Sequence, residues 1–142
     1  MYSVDYDGIM NIWNFNILNS NILQLRQTIN ISGLVYWASN EALFVWNNGV
    51  KLFIGSYNYV VKIYTLNSSN NLYLTTPEVT PSVGDAIYSI WVNVNGDKIY
   101  VASLVGCKLI IKSGGSWVVH PPSSISSILG TNYCLYIRQM NN

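Results

Sequence analysis

Ala42-Leu-Phe-Val-Trp-Asn-Asn-Gly-Val-Lys-Leu-Phe-Ile-Gly-Ser56 and Ile87-Tyr-Ser-Ile-Trp-Val-Asn-Val-Asn-Gly-Asp-Lys-Ile-Tyr-Val-Ala-Ser103 are two versions of one pattern. Each has a run of β-forming residues, an Asn-Gly turn, a lysine, a second β-forming run and a closing serine. Gly49 and Gly96, Lys51 and Lys98, and Ser56 and Ser103 are each 47 residues apart. The following segment also recurs, Val61-Lys62-Ile63 matching Cys107-Lys108-Leu109 at a displacement of 46. A third version lies near the start, where Ile9-Met10-Asn11-Ile12-Trp13 matches Val60-Val61-Lys62-Ile63-Tyr64 at 51. Asp7-Gly8 before it is a hairpin-turn dipeptide. The repeat unit reads as strand, Asn-Gly turn, strand, short turn, strand, then a looser fourth strand.

Short β-forming runs broken by Asn, Gly and Ser continue along the whole chain, from Tyr2–Asp5 to Tyr133–Arg138. Their spacing of about ten residues predicts an all-β fold. Leu18, Ile22, Leu25 and Ile29 have helical spacing, but Leu23, Leu25, Gln27 and Ile29 alternate, and the strand Leu23–Ile29 is the preferred reading. The first repeat lacks its opening strand, and Asn132-Tyr-Cys-Leu-Tyr-Ile-Arg-Gln-Met-Asn-Asn142 has the form of that strand. Asn48, Asn95 and Asn142 are again 47 apart, so the chain reads as three repeats permuted by one strand.

A four-stranded unit of this period is typical of β-propeller blades. Asp85–Lys112 resembles a blade of the WD40-like family, with Ile87–Val94 as inner strand and Lys108–Lys112 as third strand. Tyr2–Phe15 resembles the second and third strands, with Trp13 at the signature Trp. Asn14 stands where that family has Asp, and no Gly-His pair precedes a blade, so its buried Asp-His network is not carried over. The resemblance implies three blades in one repeat domain: residues 1–30 completed by 132–142 of a partner chain, then 31–80, then 81–122. Propellers have about four to eight blades, so three do not close a ring. Two copies would give six, with Tyr133, Leu135 and Ile137 of one copy pairing beside Tyr2 and Val4 of the other. The expectation is therefore a homodimer, and its main rival is a monomeric β-sandwich or barrel.

Composition narrows the function. Seven basic and six acidic residues in 142 give a net charge of +1, which argues against nucleic acid as a partner. No run of about 18 apolar residues predicts membrane insertion, and Met1-Tyr-Ser-Val-Asp5 does not have signal-peptide form. The 18 Asn and 16 Ser make a neutral polar surface. AT-rich coding and adaptation to acid both account for it, the second because few carboxylates are there to be protonated. A small viral protein, in host cytoplasm or virion, fits the first.

No enzyme is expected. His120 is the only histidine, stands before Pro121-Pro122, and has no triad partners in view. Cys107 and Cys134 with one His cannot fill a four-ligand metal site, and they read as free thiols. Asp5, Asp7, Asp85 and Asp97 read as turn formers, Glu41 as a hairpin tip, and Gly114-Gly115 as a turn. No cofactor is implied. Lys51, Lys62, Lys98 and Lys108 form either an anion-binding rim or, more simply, gatekeepers on apolar strands. Trp46 and Trp91 read as core, at similar places on inner strands. Trp37, Tyr57, Tyr59 and Trp117 lie near turns and are candidate contacts for a protein partner or a glycan. The expected function is a non-enzymatic interaction or structural module, with a lectin-like module as the alternative.

Overall fold

The structure, a computed structural model, describes residues 1–4, 8–16, 22–31, 42–56, 58–103 and 106–120. Twelve strands form three antiparallel sheets, none closed into a barrel, and no α-helix occurs among the described residues. The first sheet runs β1 (Tyr2–Val4), β2 (Ile9–Asn16), β3 (Ile22–Asn30). The second runs β4 (Leu43–Trp46), β5 (Lys51–Gly55), β6 (Val61–Asn67) and β7 (Leu72–Tyr73), and β8 (Glu78–Val79) also pairs with β6. The third runs β9 (Ile87–Val92), β10 (Lys98–Ser103), β11 (Gly106–Ser113), β12 (Ser116–His120). The segment with two readings, Leu23–Ile29, is strand. The expected strands Leu34–Ala38 and Tyr133–Arg138 lie outside the described residues.

The repeat is legible in the ladders. Tyr2 pairs with Ile12, Phe53 with Ile63, and Tyr100 with Leu109. One step along, the pairs are Ser3 with Asn11, Ile54 with Lys62, and Val101 with Lys108. Phe44 opposite Phe53 likewise repeats as Trp91 opposite Tyr100. Trp91 therefore corresponds to Phe44 and not to Trp46, which corrects the expectation that the two tryptophans share a place.

Two cores separate the three sheets. Met10, Ile12 and Ile29 of the first sheet meet Leu52, Ile54 and Tyr64 of the second. Phe53, Val61 and Ile63 of the second sheet meet Ile90, Ile99, Val101 and Ile110 of the third. Alternate residues of β5 thus enter opposite cores, and the middle sheet is buried on both faces. This is why its strands do not alternate between apolar and polar residues.

Repeated residues do repeated work. The buried Ser56 hydroxyl donates to the Val60 carbonyl at 2.9 Å, and the buried Ser103 hydroxyl donates to the Gly106 carbonyl at 3.0 Å. Each bond closes the turn between the second and third strands of its sheet. Gly49 and Gly96 have φ of +91° and +70°, which favours glycine. Each also admits an aromatic from the sheet before it. A Cβ would stand 2.7 Å from the Tyr2 hydroxyl at Gly49 and 2.9 Å from the Trp46 ring at Gly96.

Polar bonds fix the first junction. The Gln27 amide donates to the Tyr73 carbonyl at 2.9 Å and accepts from the Tyr73 N–H at 2.7 Å, as a neighbouring strand would. The Tyr73 hydroxyl donates to the Gly49 carbonyl and lies 2.9 Å from the Tyr2 hydroxyl. Burial pushes the Tyr64 phenol up to about 12. Burial, then the hydrogen-bonded Tyr2 hydroxyl, holds Tyr73 above the ordinary phenol range as well. Unfolded phenols ionise near pH 10. Above that pH the unfolded chain loses protons that the folded chain keeps, so stability falls as pH rises. The slope is up to about 1.4 kcal/mol per pH unit for each phenol. Urea titrations from pH 9 to 12 are expected to show this fall, and Tyr64→Phe to flatten it. An unchanged slope in Tyr64→Phe contradicts the assignment.

Candidate functional site

An aromatic-lined cleft lies between the ends of β4 and β9, where neighbouring sheets come together. It has a volume of about 290 Å³ and is lined by Phe44, Trp46, Trp91 and the backbone around Asn93. Phe44 meets Trp91 edge-on with centroids 6.5 Å apart, and Trp91 lies 5.4 Å from the Tyr100 ring. Trp46 is held in place by its indole N–H, which donates to the Asn93 carbonyl at 3.0 Å. Its ring takes the Lys51 ammonium at 6.0 Å. The turn glycine Gly96 leaves room for the ring, and the repeat spacing puts Phe44 and Trp91 at equivalent places on the first strands of neighbouring sheets. Half-buried aromatic faces beside open backbone can stack on an apolar or sugar face.

A second cleft, of about 470 Å³, lies between β8 and β12. There the Glu78 carboxylate accepts from Lys112 Nζ at 2.7 Å and from the Trp117 indole at 2.9 Å. Lys112 also sits 5.3 Å over the Trp117 ring. This cluster is satisfied by its own members and ties the second sheet to the third.

The four aromatic residues expected to make contacts are not gathered into one platform among the described residues. Trp117 is 6% exposed and belongs to the core between the second and third sheets. Gly114-Gly115, with φ of +58° and +86°, form the turn into β12, and the pairing of Trp117 with Lys112 places it on the same face as Ile110. Tyr59 is 40% exposed, with φ of +69°, in the tight turn between β5 and β6. Its carbonyl accepts from the Val83 N–H at 2.7 Å. Trp37 and Tyr57 lie outside the described residues. Of the residues expected to close an oligomer, Tyr2 and Val4 sit on β1, at the edge of the first sheet among the described residues, and their side chains pack against the first core. Tyr133, Leu135 and Ile137 lie outside the described residues.

The lysines do not form one rim. Strand alternation puts Lys51 and Lys98 on one face of their sheets and Lys62 and Lys108 on the other. Lys108 donates to the Val83 carbonyl. Asp85 accepts from the Ala86 N–H at 2.7 Å, and Asp97 accepts from the Asn93 amide at 2.7 Å, both within turns. His120 ends β12, exposed. Cys107 is a half-buried free thiol whose pKa burial pushes up, which disfavours the reactive thiolate. Asp5, Asp7, Glu41 and Cys134 lie outside the described residues. No group of three His, Cys, Asp or Glu side chains able to hold a metal ion occurs among the described residues. No described helix is long and apolar enough to cross a membrane.

Sequence reasoning read Trp91 as core and did not single out Phe44. The signal was available in the 47-residue offset, once it is applied to the ladder partners of Phe53 and Tyr100. A scan against protein-family models finds no match to this chain, and neither does a search of curated proteins.

Proposed function

We propose that the chain is a non-enzymatic interaction or structural module that works as an oligomeric, propeller-like ring, and that it suits a small viral protein. The observation that carries this reading is the stack itself. Three sheets share one ladder register, the middle one is buried on both faces, and the first has three described strands where the second has five and the third four. A repeat stack of this kind is stable at its centre and open at its ends. Two copies supply six sheets, within the range in which such rings close. The missing strand of the first sheet is then residues 133–138 of the other copy, laid beside Tyr2–Val4, where it removes an open edge. The rigid ring would present its turns as a binding surface for a protein partner.

Imaging of single particles tests the ring. Class averages with six radial sheets around an axis are the expected result. Isolated arcs of three sheets would overturn it.

The aromatic cleft favours one second reading, a glycan-binding module. Phe44 and Trp91 then replace the loop aromatics as the stacking surface. Binding on a glycan array that is lost on Trp91→Ala supports it, and an array without binding removes it. Trp117→Ala does not test it, because that change opens the core.

A further inference from the structure

We infer that the outer face of the third sheet is the seat for the first sheet of a second copy of this chain. The contact would repeat the order that stacks the sheets within one copy. This inference rests on the oligomeric reading above and names the surfaces that reading needs.

Equivalent residues of the second and third sheets are unequally buried. In the middle sheet, Phe44, Phe53 and Ile63 face the third sheet, and Phe53 and Ile63 are fully buried there. Their repeat counterparts are Trp91, Tyr100 and Leu109. These alternate with the core residues Ile90, Ile99 and Ile110 and so belong to the outer face of the third sheet, where they are half-buried, Trp91 also meeting Phe44 at the strand edge. Val118, beside them on that face, is 46% exposed. Among the described residues this face is therefore less covered than its counterpart on the middle sheet, and the apolar side chains it leaves exposed favour association.

The first sheet has the complementary vacancy. Trp13 corresponds to Tyr64 and Ile110, each of which is buried against the preceding sheet. No sheet precedes the first one among the described residues, so Trp13 stays half-buried beside Leu25, which is 54% exposed. The Trp13 indole turns to the Ser3 hydroxyl at 3.0 Å. Among the described residues, each chain thus has one uncovered face of each kind. The outer face of the third sheet packed on itself would not reproduce either internal junction, whereas third sheet on first sheet reproduces both. Continuation of the existing stack therefore selects a second copy as the occupant.

Sedimentation of the full chain and three variants tests this. Tyr100→Glu and Leu109→Glu place a charge on the outer face of the third sheet, and Leu25→Glu places one on the outer face of the first. All three positions lie outside the two cores, and circular dichroism checks that each variant folds. Every variant alone is expected to self-associate at least ~100-fold more weakly than wild type, because each two-fold pair loses both joints. A mixture of Tyr100→Glu with Leu25→Glu is expected to regain a two-chain species through one intact joint. Loss of association in Tyr100→Glu and Leu109→Glu, with Leu25→Glu unaffected, would mean that like faces meet and would overturn the inference. So would a mixture that stays single-chain. A wild-type dimer untouched by all three variants overturns the face assignment alone. A wild-type chain that sediments singly overturns the oligomeric reading with it.

Discussion

Leu52→Ala is expected to cost about 2–5 kcal/mol and Phe53→Ala about 3–5 kcal/mol of stability, although the two residues are neighbours in the chain. In a sheet with one wet face, one of any two consecutive residues points to water and tolerates truncation. Here both are fully buried, Leu52 against Met10 and Ile12 of the first sheet, and Phe53 against Ile99 and Val101 of the third. Each truncation removes transfer free energy and leaves a cavity in a separate core. Because the cores are distinct, the costs in the double variant are expected to add within about 0.5 kcal/mol. Urea denaturation of the three variants checks this. A cost below about 1 kcal/mol for either single variant would mean that one face of the middle sheet is open.

Gly55→Ala is expected to destabilise by about 1–3 kcal/mol through overpacking, the reverse of a cavity. Gly55 ends β5, opposite Val61, at the place where the third sheet holds the buried Ala102. A Cβ there would lie 2.4 Å from Ile87 Cγ2 and 3.0 Å from Ile87 Cβ. The branch point of Ile87 cannot swing aside as a long side chain would, so β9 itself must retreat and loosen the second core. Ile87→Ala removes the obstructing methyl at the cost of a cavity. The double variant Gly55→Ala, Ile87→Ala is therefore expected to be more stable than the summed single effects predict. Strict additivity in thermal melts would show that the two positions do not meet.

Much of this was written in the sequence, because the fold is a repeat. The offsets that align Gly49 with Gly96 and Ser56 with Ser103 mark turns that must be built the same way twice, one needing a left-handed glycine and the other a buried hydroxyl. The same offsets carry the ladder register. Lone features were harder to read. β8 was missed because Glu78-Val79 follows Pro77, which lacks an N–H and interrupts the fourth strand of its sheet into two pieces. Gln27 gave no signal, since one amide on an amphipathic strand looks like any solvent-facing polar residue. Only its place opposite Tyr73 makes it a substitute strand neighbour. Trp117 was placed with the surface aromatics on its closeness to a turn, but proximity to a turn does not set the face. Strand alternation from Ile110 through its partner Val119 does, and it points Trp117 into the core. The aromatic cleft was half-legible. Its Phe44 and Trp91 are repeat partners, but only the packing of one sheet on the next makes a cleft from them.

The account stands on the claim that one chain is an incomplete stack which a second copy completes. Light scattering on the purified chain across a range of concentrations addresses it most directly. The account predicts a particle of twice the 15.9 kDa chain mass. A particle of 15.9 kDa at every concentration would contradict it.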